Sequence, residues 1–358
     1  MLDILNRWYR QKFSDPQAAA ILVIFLLGIV IFYFFGKVLI PLVVAIVIAY
    51  LLDWPVESLS RFKIGRKAAS SLVLFLFLFV VVVALLFLLP TIVRQGTNLL
   101  YEYPAMLHSG QAWLESLPAR YPEIVDAKLV ETIVSSVQER LMVLGNDVLR
   151  WSFTSIGSLA NIVVYAILVP LMVFFMLADK KSLQSQITRF LPSNRSLLTA
   201  ISKEMNGQIV NYIRGKATEI LIVGGASYLV FAFMDLRYSL LLAVLVGLSV
   251  VIPFVGAFAV TIPVAMVGLF QWGFTAQFGY LILAYMIIQI LDGNVLVPIL
   301  FSEAVNLHPL AIVMAVMVFG GLWGVWGVFF AIPLATLVKA VINAWPHNEN
   351  SDENSSAG

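Results

Sequence analysis

The sequence predicts an all-α polytopic membrane protein. It would have about eight transmembrane helices, with broken or re-entrant elements near residues 253–256 and 292–298, and a small helical extramembrane domain. Three observations carry this. Of 358 residues, 61% are hydrophobic and only 12% charged, against about 45–50% and about 25% in soluble domains. Apolar runs of span length recur along the chain, and about 20 such residues cross a hydrocarbon core of about 30 Å. Two of the runs are interrupted, by Pro253 with Gly256 and by Asp292-Gly293-Asn294 with Pro298. Such residues are tolerated at bilayer depth only where protein or a water-lined cavity satisfies the freed backbone groups.

Composition also excludes several functions. The net charge of +2 provides no global attraction to nucleic acid. The absence of cysteine rules out disulfides and thiolate metal sites. His108, His308 and His347 are far apart in sequence, so no H-E-x-x-H metal pair exists. No metal, cofactor or nucleic-acid partner is expected.

Residues 1–93 hold transmembrane helices 1–3. After the basic start with Arg7, Arg10 and Lys12, Ala18–Phe35 is apolar throughout. That run exceeds the apolar core of a signal peptide, about 7–15 residues, so a retained helix is expected. Gly36-Lys37 alone separates it from Val38–Leu52, which predicts a tight hairpin, the second helix extending to Trp54 or dipping at Pro41. Arg61, Lys63, Arg66 and Lys67 place 53–67 on the cytoplasmic side. The third helix covers about Ala68–Val93.

Residues 94–150 are expected to form an extracytoplasmic helical domain. Leu129, Val130, Ile133, Val134, Val137, Leu141, Leu144 and Val148 recur at helical spacing after a candidate cap, Asp126. Pro118 and Pro122 separate that helix from an earlier piece containing Leu99, Leu100, Tyr103 and Trp113. The apolar stripe either packs within its own bundle or presents a docking surface for a partner.

Residues 151–178 form transmembrane helix 4, with Asn161 and Pro170 inside it. Residues 179–216 carry Lys180, Lys181, Arg189, Arg195, Lys203, Arg214 and Lys216, a cytoplasmic signal. Within them Leu197, Leu198, Ile201, Met205, Ile209 and Ile213 form the apolar face of an amphipathic helix started by Ser193 or Asn194. It lies along the membrane surface or leads into the fifth span.

Residues 217–345 hold helices 5–8, the expected transport core. Ala217–Met234 carries Glu219 and Gly224-Gly225, and Asp235-Leu236-Arg237 is a minimal turn. Tyr238–Phe270 is broken at Pro253 and Gly256, neither half being long enough to span alone. Gln277–Phe301 is the seventh span and His308–Ile342 an overlong eighth. Residues 346–358 read as a disordered polar tail, and both termini are expected in the cytoplasm.

Asp292 is the strongest functional candidate, because an ionisable residue within a span is a functional hypothesis by default. Its bland alternative is a structural hydrogen bond to a neighbouring helix. Gln289 and Asn294 lie close enough in sequence to offer amide dipoles to the same pathway. Pro253, Gly256 and Pro298 would open it, paired interruptions being a pointer to a transport site. Glu219 is a second acid, although an i, i+3 salt bridge with Lys216 at the membrane edge explains it equally well. Gly320, Gly324 and Gly327 read either as close helix packing, through a small-xxx-small pair, or as a gate. No G-x-x-x-x-G-K-[ST] and no G-x-S-x-G occurs, so neither ATP-driven transport nor hydrolase chemistry is expected.

AYLLDWPVESL (Ala49–Leu59), NYIRGKATEILIVGG (Asn211–Gly225), VIPFVGA (Val251–Ala257) and the stretch from Asp292 to Lys339 resemble the autoinducer-2 exporter family, in particular its PerM-type permeases. The most specific part is the P-I-L … L-H-P-L … G-G … G-x-x-G … P-L pattern from Pro298 to Leu334. The resemblance implies a multi-pass transport protein of the bacterial inner membrane, exporting a signalling molecule or exchanging a cation for protons, and assembled as a homo-oligomer. The expected function is therefore a secondary permease exporting a small polar, autoinducer-like solute or a cation, coupled to a proton or sodium gradient. An oligomeric passive channel and a membrane scaffold acting through 94–150 are the alternatives. The expected partners are the lipid bilayer, the solute or ion, and further copies of the chain.

Overall fold

The computed structural model describes residues 16–120, 159–189, 196–253, 255–301 and 307–344. The stripe at 129–148 with its cap Asp126, the helix start at Ser193 or Asn194, and the tail at 346–358 lie outside the described residues. Within them every regular element is a helix: α1 Pro16–Ser60, α2 Arg66–Arg120, α3 Leu159–Ala178, α4 Lys180–Arg189, α5 Ser196–Phe233, α6 Ser239–Ser249, α7 Val255–Trp272, α8 Ala276–Leu291, α9 Val297–Phe301, α10 Pro309–Phe329 and α11 Ala331–Ala344. A π-helical turn, Asp292–Leu296, joins α8 to α9. Among the described residues six helices are long and apolar enough to cross a membrane, or seven if the bent pair Val163–Ala178 and Lys180–Gln186 counts as one. The chain is an all-α polytopic membrane protein.

Several boundaries differ from those expected. The hairpin at Gly36-Lys37 is absent, because α1 runs through it as one helix of 45 residues. A lone glycine costs a helix only about 1 kcal/mol, which flanking apolar turns override. Likewise α2 passes from the apolar span through residue 93 and Pro118 without interruption. Of the two arrangements expected for the amphipathic segment, it takes the second, continuing directly into the fifth span as α5, 38 residues long. The turn at Asp235-Leu236-Arg237 is present, with Asp235 and then Tyr238 in the left-handed region. The break near Pro253 is also present, but α7, at 18 residues, is itself long and apolar enough to cross.

The chain forms two compact units, one of residues 1–73, 171–216 and 299–358, the other of residues 74–170 and 217–298. In the first, α10 folds back onto α11. Gly324 is non-helical, with φ 60 and ψ −138, a conformation that favours glycine. Up to that point α10 rises only about 22 Å at 1.5 Å per residue. Beyond it Gly327 sits against the carbonyl of Phe319, where no Cβ would fit. The resulting hairpin buries Ala315, Phe319 and Ala331 among Val316, Trp323, Leu334 and Val338, with Phe319 stacked on Trp323 at 5.7 Å. Elsewhere in this unit the Tyr212 hydroxyl donates to the Phe329 carbonyl at 2.8 Å, and its ring meets those of Phe301 and Phe329.

The second unit has a core built on Val223, Phe231, Leu242, Val246, Val264, Leu281 and Tyr285. Two close approaches set it. Gly224 of α5 and Gly247 of α6 meet backbone to backbone: a Cβ on Gly247 would lie 3.0 Å from the Gly224 Cα. Small residues permit this crossing, whose gain is packing and dispersion rather than hydrophobic transfer. The C-terminal part of α2 also docks here. Gln95, Leu99, Glu102 and Met106 recur at spacings of four, three and four, one helical face. Leu99 and Met106 join the core. The Gln95 side chain accepts from the Leu241 N–H at 2.9 Å, satisfying a donor at the start of α6. Glu102 pairs with Arg237 at 2.9 Å. Gln271 completes the turn, accepting from the Arg237 N–H and donating to the Asp235 carbonyl, both at 2.7 Å.

Candidate transport pathway

All seven candidate pathway residues belong to the second unit. They sit in three places: the middle of α5, the break between α6 and α7, and the stretch from the end of α8 through the π turn into α9.

The π turn follows from Pro298. In α-helical register residue 298 would donate to the carbonyl of Asn294, and proline has no N–H to give. Widening the turn moves the ladder: the Val297 N–H donates to the Asp292 carbonyl, five residues back. The span is thus not broken there. It runs from Ala276 to Phe301 as one helical path of 26 residues with a wide turn inside it. Such turns within α-helices occur frequently at functional sites.

Asp292 opens the wide turn and is half-buried, as is Gln289. At i and i+3 these two share one helical face. Asn294 does not join them: it is exposed, and its amide donates to the Ile290 carbonyl at 2.9 Å. That bond occupies a backbone acceptor in the turn preceding the wide segment. Pro298 is exposed as well.

At the other interruption, α6 ends at Ser249 and α7 begins at Val255. Gly256 is buried against the Ser249 carbonyl so closely that no side chain fits. The chain thus reverses tightly over the non-helical Val250–Pro253, which explains why glycine follows proline there. Sequence reasoning missed the polar group this reversal creates. The Tyr285 hydroxyl of α8 donates to the Ala257 carbonyl at 3.1 Å, and the Thr261 hydroxyl donates to the same carbonyl at 2.8 Å. The two hydroxyls lie 3.3 Å apart. Tyr285 is 2% exposed and Ala257 and Thr261 are half-buried, so this is a partly buried triad of oxygens tying α7 to α8. Its sequence signal was present, two hydroxyl residues within apolar spans, but nothing local paired them.

Glu219 is 1% exposed. Its neighbours Ile220 and Val223 enter the core that also takes Val250, Ile288 and Leu296. The residues beside Glu219, beside the break and beside Asp292 therefore pack into a single cluster. Lys216, one turn earlier on α5, is also buried, its ammonium 5.3 Å from the centre of the Phe301 ring, a cation–π contact. Among the described residues no group of acidic or histidine side chains has the spacing of a metal site. His308 caps α10, its Nδ1 accepting from the Leu310 N–H at 3.2 Å; Glu303 lies outside the described residues.

Gly320, Gly324 and Gly327 belong to the first unit. They do not line one helical face, since the chain reverses at Gly324 and brings Gly327 back to the 319–320 backbone.

The model of the AI-2E family transporters covers residues 22–347. This chain belongs to the AI-2E transporter family. It is 50% identical to a protein of Escherichia coli strain K12 bearing the name permease PerM, over 99% of this chain and all of the relative. A Bacillus subtilis protein named as transport protein YueF is 26% identical over 86% of this chain and 84% of its own. The AI-2 transport protein TqsA of Escherichia coli is 25% identical over 90% and 89%. The AI-2E assignment makes the chain a membrane permease, and the π turn, the Pro253–Gly256 reversal and Glu219 are this member's polar features within it.

Proposed function

We propose that this permease is a secondary transporter of the bacterial inner membrane that exports a small polar solute of the autoinducer class, or a cation, in exchange for protons or sodium ions. The observation that carries this is Asp292. It is an ionisable side chain at a π turn inside a span-length helix, with the Gln289 amide on its face. An acid costs at least about 2.5 kcal/mol at mid-bilayer, a cost that a purely structural helix has no need to bear. Asp292 serves as the coupling carboxylate and Glu219 as the second acid, with Gln289 orienting the solute. The likeness to a protein named for AI-2 transport supports the solute class.

On this reading the loop at 61–67 and the segment 179–216 face the cytoplasm, because Lys and Arg are retained on that side. Both termini lie there too, and the chain works as a homo-oligomer.

The test is flux in liposomes containing purified protein, under imposed proton and sodium gradients, for the wild type and Asp292→Asn. Gradient-dependent flux lost in the variant supports the proposal. Flux that ignores both gradients and survives in Asp292→Asn overturns it in favour of a passive channel.

A further inference from the structure

Asp53, at the end of the α1 span, holds two cations from different segments: Arg66 Nη2 at 3.1 Å and Lys180 Nζ at 2.8 Å. Arg66 also donates through Nε to the Leu177 carbonyl at 2.7 Å, satisfying an acceptor left open where α3 ends. One carboxylate thereby gathers the end of α1, the start of α2 and the 85° bend between α3 and α4 at one level.

More positive charge collects there than Asp53 neutralises. Lys63, Lys67 and Lys181 are exposed and engage no acidic side chain among the described residues. Arg61 makes a long, exposed pair with Glu57, at 3.4 Å. The α1–α2 turn is shaped to present them: Lys63 is left-handed, with φ 66, and Phe62 beside it is 78% exposed. Trp54, one residue from the clamp, is 63% exposed. Exposed aromatic rings next to span ends belong at headgroup depth. Helices α2 and α4 also begin here, adding the positive ends of two helix dipoles.

We propose that this junction is a binding surface for anionic phospholipid headgroups. Asp53 keeps the cationic segments together, the three uncommitted ammonium groups take the headgroup phosphates, and Phe62 and Trp54 insert beside them. Clusters of four to eight basic residues next to a span are attracted to anionic lipid in this way.

The experiment is thermal melting of the full chain in nanodiscs of phosphatidylcholine, with and without phosphatidylglycerol. Phosphatidylglycerol should raise the wild-type Tm by at least about 2 °C. Lys63→Gln/Lys67→Gln/Lys181→Gln should melt like the wild type in pure phosphatidylcholine and lose most of that rise, whereas Lys203→Gln keeps it. Inorganic phosphate added to phosphatidylcholine discs should not reproduce it. An undiminished rise in the triple variant, no rise in the wild type, or full reproduction by phosphate alone would each overturn the proposal.

Discussion

A Cβ on Gly327 would collide with the backbone carbonyl of Phe319. The α10–α11 hairpin therefore depends on glycine at a position with an ordinary backbone conformation, for reasons of space alone. Gly327→Ala must push the arms apart, at a cost of about 1–3 kcal/mol by the usual scale of overpacking. Gly321, with open space around its Cβ direction, should accept alanine with little change. Melting temperatures of the two variants in detergent check this, and equal values would show that the close approach does not govern stability.

Gln289 and Asn294 flank Asp292 but differ in what they face. Gln289 is half-buried on the face of Asp292, whereas Asn294 is exposed and bonded to its own helix. Gln289→Leu should lower the rate of gradient-driven flux by about tenfold or more, equivalent to about 1.4 kcal/mol. Asn294→Leu should change it by less than about threefold. Liposome flux with both variants at matched protein density measures the difference, and the reverse order would move the pathway to the other side of the helix.

The Glu102–Arg237 pair fastens the C-terminal part of α2 to the α5–α6 turn. Both side chains are partly solvated, so a double-mutant cycle with Glu102→Gln and Arg237→Gln should give a coupling of only about 0.2–1 kcal/mol. The exchanged pair Glu102→Arg with Arg237→Glu should recover part of the loss. A coupling indistinguishable from zero would show that Gln95, Leu99 and Met106 hold the helix without help.

Tyr238, at the same turn, adds a pH dependence. Burial first, then the Glu102 carboxylate beside it, raise its phenol above the ordinary 10.0. The folded state thus holds this proton more tightly than the unfolded state. The resulting stability is complete below pH 10.0 and declines as pH rises from there through the folded-state value. Tyr238→Phe should flatten this alkaline decline in melting experiments. A decline of unchanged size would place its origin in another group.

What the sequence by itself determined is the class of molecule and the places where its helices are disturbed. Apolar runs of span length leave only a helical membrane protein. Pro253 with Gly256, and Pro298 after Asp292-Gly293-Asn294, mark disturbances because proline removes a donor whatever surrounds it. Tertiary structure decided what each disturbance becomes. At Pro298 the ladder widens into a π turn and the helix continues. At Pro253 the chain reverses, because Gly256 can lie against Ser249. Gly36 is absorbed into α1, while Gly324 turns α10 back on itself, although each is a glycine in an apolar run. A single glycine shifts the local balance by only about 1 kcal/mol, so packing settles the outcome: Phe319 and Trp323 find Leu334 and Val338 only when the chain folds back. The same holds for the polar groups. Asp53 with Lys180, Gln95 with Leu241 and Tyr285 with Ala257 are distant in sequence or lie on different helices, and only the folded chain brings them together.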